Sequence, residues 1–308
     1  MSDQDFRSLA SQDLVAAEEG VAGPGPFRKD LFKDKVVLIT GGGTGLGRSL
    51  ALRLAHLGAR IVAGSRNEEN LRKVCEEVRA AGSEASYRVT NVRDATQASQ
   101  LVAEAWDRFG RLDGVVNDAA GNFLARTQDI SPKGFQAVVE TVLHGTFYVT
   151  QAAGQRWLQE KRAGSVLNVV TTYAWTGSAF LIPSAAAKAG VLALTRSLAV
   201  EWARHGIRLN AIAPGPIPTA GAWGHLVPGS GMEEMVKEHL PAGRFGKHAD
   251  FCDLGAFLLS DAASYITGEC VVVDGGEWLV GNSFQMLRQL PPEFWEEMAS
   301  ARKGHKGG

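Results

Sequence analysis

Three cysteines among 308 residues, Cys75, Cys252 and Cys270, are odd in number and share no close spacing. They form neither a disulfide framework nor a zinc site, so they read as buried thiols of a reducing compartment, and no metal is expected. Net charge is also nearly absent, since 32 Lys and Arg against 33 Asp and Glu leave −1. Such a balance carries no electrostatic footprint for nucleic acid or an anionic membrane, while leaving room for a local basic cluster facing an anionic substrate. No apolar run reaches membrane-spanning length. The first 26 residues hold Asp3, Asp5, Asp13, Glu18 and Glu19 without a continuous apolar stretch. That argues against a secretory signal or transit peptide and makes the cytoplasm the expected location. With 45% apolar and 21% charged residues, the chain has the composition of a globular protein with a large core.

What is present is alternation. A Gly/Pro stretch, Gly23-Pro24-Gly25-Pro26, reads as a flexible lead-in. After it, β-branched runs predict strands at Lys35–Thr40, Arg60–Gly64, Ala85–Val89, Gly114–Asn117, Val166–Val170, Arg208–Ile212 and Cys270–Val273. Helical patterns fall between them at Leu46–Leu57, Glu68–Ala81, Ala95–Phe109, Ala185–Arg204 and Asp250–Leu259. A long amphipathic helix is expected from Pro132 to about Lys161. Strands alternating with helices imply an α/β fold: a single Rossmann-type domain with a doubly wound parallel sheet and helices on both faces. Residues 1–32 are expected to be an extension, 33–282 the dinucleotide-binding domain and 283–308 a tail. Within that tail Pro291–Met298 predicts a short helix docked on its own body or on a neighbouring subunit.

The first predicted strand runs into Thr40-Gly41-Gly42-Gly43-Thr44-Gly45-Leu46-Gly47-Arg48, a T-G-x-x-x-G-x-G pattern. Glycines there permit a tight turn, let backbone approach a pyrophosphate and deliver it to a helix N-terminus. Gly41, Thr44, Gly45, Leu46 and Gly47 are therefore candidate cofactor contacts; a merely flexible loop is the competing reading. The second strand ends in Gly64-Ser65-Arg66-Asn67, without the acid that holds a ribose 2′-hydroxyl in NAD sites. The Arg66 guanidinium beside Ser65 suits a 2′-phosphate, with Arg48 as a second positive charge, so NADP(H) is expected. A solvated surface role for Arg66 stays open.

With Asn117-Asp118-Ala119-Ala120-Gly121, Lys188 and Pro214-Gly215-Pro216-Ile217, the collinear pattern over about residues 33 to 280 resembles the short-chain dehydrogenases/reductases. The resemblance implies that Asn91, Val92, Asn117, Ala119, Lys188, Pro214, Gly215, Pro216 and Ile217 join the cofactor site. It also implies a homotetramer built on two long helices. Two positions depart from the family. Ser184 stands where the tyrosine of Y-x-x-x-K is usual, and Val142 replaces a helix asparagine. A tyrosine occurs instead at Tyr173, fifteen residues before Lys188, and Asn122-Phe123 follows Gly121. This combination is similar to that of the 2,4-dienoyl-CoA reductases, with Asp118 a departure from their usual Asn or Cys.

That similarity implies NADPH-dependent reduction of a conjugated acyl-CoA in unsaturated fatty acid β-oxidation. Tyr173 and Asn122 would face the thioester oxygen, Lys188 the nicotinamide ribose, and Ser184 the cofactor or substrate. Arg93, Phe123, Ser131 and His225 are the implied substrate contacts, His225 standing where relatives carry an arginine. Other readings remain open at this stage. Tyr173 has the option of an ordinary strand-end aromatic, Asn122 of a loop Asx residue, Phe123 of core packing and Arg93 of a solvated cation. Thr171, at the position of the family's serine, is either an assisting hydroxyl or a strand residue. Another NADPH-dependent carbonyl or enoyl reductase, or a non-catalytic NADP-binding protein, is the alternative at the level of function.

Overall fold

The computed structural model describes residues 17–220, 232–281, 287 and 290–296. Seven parallel strands form one sheet in the order β3-β2-β1-β4-β5-β6-β7. They are β1 Val36–Thr40, β2 Arg60–Ser65, β3 Ala85–Val89, β4 Gly114–Asn117, β5 Gly164–Val169, β6 Ile207–Pro214 and β7 Cys270–Val273. The helices are α1 Gly45–His56, α2 Glu68–Ala80, α3 Ala95–Phe109, α4 Pro132–Val139, α5 Gly145–Gln159, α6 Tyr173–Thr176, α7 Ile182–Trp202, α8 Met232–His239 and α9 His248–Leu259. The expected Rossmann-type α/β architecture is the one observed.

Strand β1, VVLIT, is buried along its whole length because both faces of the sheet are covered. Its side chains alternate with the pleat. Val37 and Ile39 join Ile61, Val116 and Leu167 under α1, α2 and α9. Val36 and Leu38 join Val62, Val115 and Val166 against α3, α5 and the end of α7, where Trp157 is fully buried. Helix boundaries follow local chemistry. Asn67 and Asp94 cap α2 and α3 through side-chain oxygens, and Gly110 ends α3 with φ 71°. Ser131 caps α4, with Pro132 in the first turn.

The chain turns back between β1 and β4, so the carboxyl ends of those strands open a crevice at the switch point. The expected long helix from Pro132 is interrupted by a π-helical segment at Glu140–His144 and ends at Gln159. The lead-in is also different from expectation. Ala17 and Val21 are buried, and the buried Arg53 guanidinium donates to the carbonyls of Gly20 and Gly23. Peptide carbonyls bound by an internal arginine make this segment a strap across α1 and α9. In the tail, residues 292–296 are helical, while Met298 lies outside the described residues. Among the described residues no helix is long and apolar enough to cross a membrane.

Candidate active site

The residues at the carboxyl edge of the sheet line a cavity of about 520 Å³. Its walls come from Gly41–Thr44 after β1, Gly64–Asn67 after β2, Thr90–Val92 after β3 and Ala119–Ala120 after β4. Gly41 has φ 71°, and a Cβ there would lie 2.9 Å from the Ala119 nitrogen. At Gly47 a Cβ would lie 2.7 Å from Asp118 Oδ2. Neither position has room for a side chain, so the turn into α1 packs directly against the loop after β4. Thr40 Oγ1 accepts from the Asp118 and Ala119 N–H groups at 3.2 Å each, clamping the β4 loop onto β1. Thr44, Ser65, Arg66, Asn91, Val92 and Ala119 all reach this cavity.

Arg66 is exposed at the rim with no carboxylate partner among the described residues. Arg48 does not supply the second positive charge expected of it. Its guanidinium is bound to Glu77 at 2.8 and 3.0 Å and faces Glu18 at 3.7 Å. Asn117 turns its amide into the sheet, donating to Thr150 Oγ1 at 2.9 Å and Asn168 Oδ1 at 2.8 Å. Gly215, Pro216 and Ile217 line a neighbouring cavity of about 340 Å³. Pro214 closes β6 before them.

Beyond β5 the chain makes one turn of helix, α6, and Tyr173 is its first residue. Tyr173 Oη and Ser184 Oγ are 3.0 Å apart in a hydrogen bond. Ser184 lies in the first turn of α7, and Lys188 follows one turn later on the same face. Both are buried. The Lys188 ammonium donates to the Val169 carbonyl. Burial pushes Lys188 down to about 8, opposed by the negative charge of Asp118. Burial pushes Asp118 up to about 7, opposed by Lys188 and by the Gly47 N–H. Thr171 Oγ1, at the end of β5, is buried without a hydrogen-bond partner. A hydroxyl in that condition fits a site completed by a bound group.

Asn122 Oδ1 accepts from the Phe123 N–H at 2.9 Å. The loop role is real, and it also fixes the amide, because the nitrogen end is then the end turned away from that bond. Phe123 packs against the Val138, Val142 and Val170 cluster and reaches the space beside Gly134. Val142, at the usual asparagine position, is 1% exposed in the same cluster, so that part of the helix is apolar core. Ser131 accepts from the Gly134 N–H at 3.1 Å as a cap. Arg93 donates to Glu140 Oε2 at 2.7 Å, holding that carboxyl below its usual range. The guanidinium expected to meet a phosphate is thus partly neutralised. His225 lies outside the described residues.

Two site features were not found by reading the sequence. One is the Tyr173–Ser184 bond, which joins two residues noted separately. The other is His248, fully buried between Ser49 Oγ at 2.6 Å and the Pro218 carbonyl at 2.8 Å, where it fastens the loop after β6. A lone histidine before an apolar helix offers no signal of that role.

A family model described as Enoyl-(Acyl carrier protein) reductase matches residues 41–277. The chain is 44% identical over 249 residues to a probable 2,4-dienoyl-CoA reductase [(2E)-enoyl-CoA-producing] of Bacillus subtilis, covering 80% of this chain and 98% of that one. Among solved structures, a short chain dehydrogenase from Bacillus anthracis superposes with a TM-score of 0.75 at 40% identity, covering 82% and 99% of the two chains. A putative 2-deoxy-d-gluconate 3-dehydrogenase from Agrobacterium tumefaciens with bound NADP has a TM-score of 0.75 at 31% identity, over 82% of this chain and all of that one.

Proposed function

The chain belongs to the short-chain dehydrogenase/reductase family, and on that footing we propose that it is an NADPH-dependent reductase of 2,4-dienoyl-CoA thioesters. The observation that carries this reading is the 3.0 Å hydrogen bond between Tyr173 Oη and Ser184 Oγ, one turn from Lys188. It returns a phenol to the neighbourhood of the lysine although serine occupies the usual tyrosine position.

The residues present fit a nicotinamide dinucleotide. Gly41, Gly43 and Thr44 line the cavity that Arg66 also lines, Arg66 has no acidic partner among the described residues, and the Thr171 hydroxyl is unsatisfied. In this reading Gly41, Thr44, Gly45, Leu46 and Gly47 hold the pyrophosphate at the amino end of α1. Arg66 grips the 2′-phosphate bidentately beside Ser65. Lys188 holds the nicotinamide ribose hydroxyls. When bound, NADPH supplies a hydride to the far end of the conjugated acyl chain.

Negative charge would then collect on the thioester oxygen, and a proton taken from solvent at the dienolate carbon would complete the reduction. Tyr173 Oη and the Asn122 amide nitrogen donate to that oxygen, and donors already aimed at developing charge need no reorganisation. Ser184 steadies the tyrosine hydroxyl. Phe123 forms one apolar wall, and Arg93 and Ser131 stand at the rim toward the CoA phosphates. The exposed Phe147 on α5 and Val200 on α7 are assigned to subunit contacts of a homotetramer.

A second reading rests on the Arg93–Glu140 ion pair. A rim cation already compensated suits a reductase of a smaller, uncharged carbonyl or enoyl substrate. The test is NADPH consumption with 2,4-hexadienoyl-CoA beside simple ketones and aldehydes. Turnover of the dienoyl ester far above the others supports the first reading, and the reverse order supports the second.

A further inference from the structure

We propose that the amino edge of the sheet, opposite the dinucleotide cleft, carries a second binding site that takes a small oxyanion between Ser165 and Arg208. The site stands apart from the catalytic residues, and its test depends on neither the cofactor nor the reduced substrate.

Val37, Gly114, Ser165 and Arg208 are successive register partners on β1, β4, β5 and β6, each within the first two residues of its strand. Register partners in a parallel sheet share a face, here the one packed against α9. This row lines a cavity of about 260 Å³ together with Phe32, ahead of β1, and Leu259 and Ser260, at the end of α9. Gly114 brings no side chain to the row; a Cβ there would meet Val37 at 3.4 Å and Leu259 at 3.5 Å. Sites for drug-sized ligands span about 300–1,000 Å³, so a ligand here is small.

Two demands inside the cavity are unmet by the protein. The Ser165 hydroxyl has no hydrogen-bond partner although its residue is only 5% exposed. Buried hydroxyls are as a rule completed by a partner. Arg208 is half-buried, and its terminal nitrogens donate to the Leu258, Ser260, Leu259 and Ile266 carbonyls at 2.9, 3.0, 3.3 and 3.4 Å. Those acceptors are neutral, and among the described residues no carboxylate lies in ion-pair range of this guanidinium. Burial holds its pKa below the usual value, opposed by Asp261 from beyond that range.

The acids at the cavity are already engaged. Asp113 accepts from the Val36 N–H at 2.8 Å and from two nitrogens of Arg111 at 2.6 and 2.8 Å. Asp261 pairs with Lys35 at 3.5 Å. Arg162 comes only to 3.8 Å from Glu160, a carboxylate that also holds Arg156 and the Trp106 indole. Arg162 and Arg208 therefore leave positive charge on one cavity. A carboxylate or phosphate oxygen answers both demands, accepting from Ser165 and compensating the half-buried guanidinium.

Isothermal titration calorimetry with inorganic phosphate and with butanoate, ionic strength held constant with chloride, is the test. One anion per chain is expected to bind, and the tighter of the two identifies the head group. Ser165→Ala removes a hydroxyl that bonds nothing in the protein, so the variant should unfold at a midpoint no lower than the unaltered chain. It should weaken anion binding about tenfold or more, the loss of one hydrogen bond to a charged group. Arg162→Gln, at a partly exposed side chain, should weaken it by up to about fivefold. Equal affinity in the unaltered chain and in Ser165→Ala places the anion elsewhere, the amino end of α1 included, and overturns the proposal. Absence of saturable binding of either anion below about 10 mM overturns it as well and leaves the Ser165 hydroxyl to water.

Discussion

Tyr173→Phe deletes one oxygen and keeps the ring at the start of α6. In the fold, that oxygen makes a 3.0 Å hydrogen bond to Ser184 Oγ in a part-buried position. A neutral hydrogen bond of this kind contributes about 0.5–1.5 kcal/mol, so the variant is expected to fold with a slightly lowered urea midpoint. The expected effect on catalysis is much larger. Loss of one pre-aimed donor to a developing oxyanion costs on the order of 100- to 1000-fold in turnover, about 2.7–4 kcal/mol of barrier. Turnover of 2,4-hexadienoyl-CoA should fall by that factor while NADPH affinity barely changes. Ser184→Ala leaves the phenol present but unsteadied, and a loss of about fivefold corresponds to the one weak bond removed. Steady-state kinetics of the two variants, with cofactor affinity measured alongside, decide the matter. If Ser184→Ala abolishes turnover and Tyr173→Phe retains it, the donor is not Tyr173 and the mechanism is refuted.

Arg66→Asp places a like charge beside a 2′-phosphate and is expected to shift preference from NADPH toward NADH; unchanged preference in binding titrations refutes the assignment. Arg93→Ala should raise KM for a CoA ester more than for the same acyl group on a short thioester, whereas equal effects assign Arg93 to holding Glu140 alone. Arg53→Met, at a side chain 1% exposed and bound to the Gly20 and Gly23 carbonyls and Asp253, should lower stability by about 3 kcal/mol in urea unfolding. The same variant should open the strap to proteolysis near residue 20, and resistance equal to the unaltered chain would count against the strap.

Local chemistry made much of this molecule readable in advance. A parallel strand buried on both faces is a short β-branched run, and VVLIT is one, so β1 was placed from its own residues. The glycine loop was legible because backbone at positive φ and close approach tolerate little else, as Gly41 and Gly47 illustrate. The place of Arg66 on the same cavity was legible because the end of β2 has a set relation to that loop. The errors share a cause. Arg48 follows the same loop, where its sequence predicts a second positive charge beside Arg66, but Glu77 is 29 residues away and Glu18 comes from the strap, and both claim it. The Gly and Pro content of the lead-in predicts flexibility, whereas the arginine that binds its carbonyls belongs to α1.

By itself, then, the sequence determined the alternation of strands and helices, the glycine cradle and the inventory of unusual residues: Tyr173, Ser184, Asp118 and Lys188. Only the tertiary structure decided which of them meet. Tyr173 pairs with Ser184 because a turn of helix after β5 packs on the first turn of α7. Lys188 meets the end of β5 because α7 crosses that strand, where its ammonium donates to the Val169 carbonyl, 19 residues earlier in the chain. Propensity and periodicity act over a few residues, whereas a hydrogen bond or a charge pair depends on distance in space, which the chain acquires only on folding.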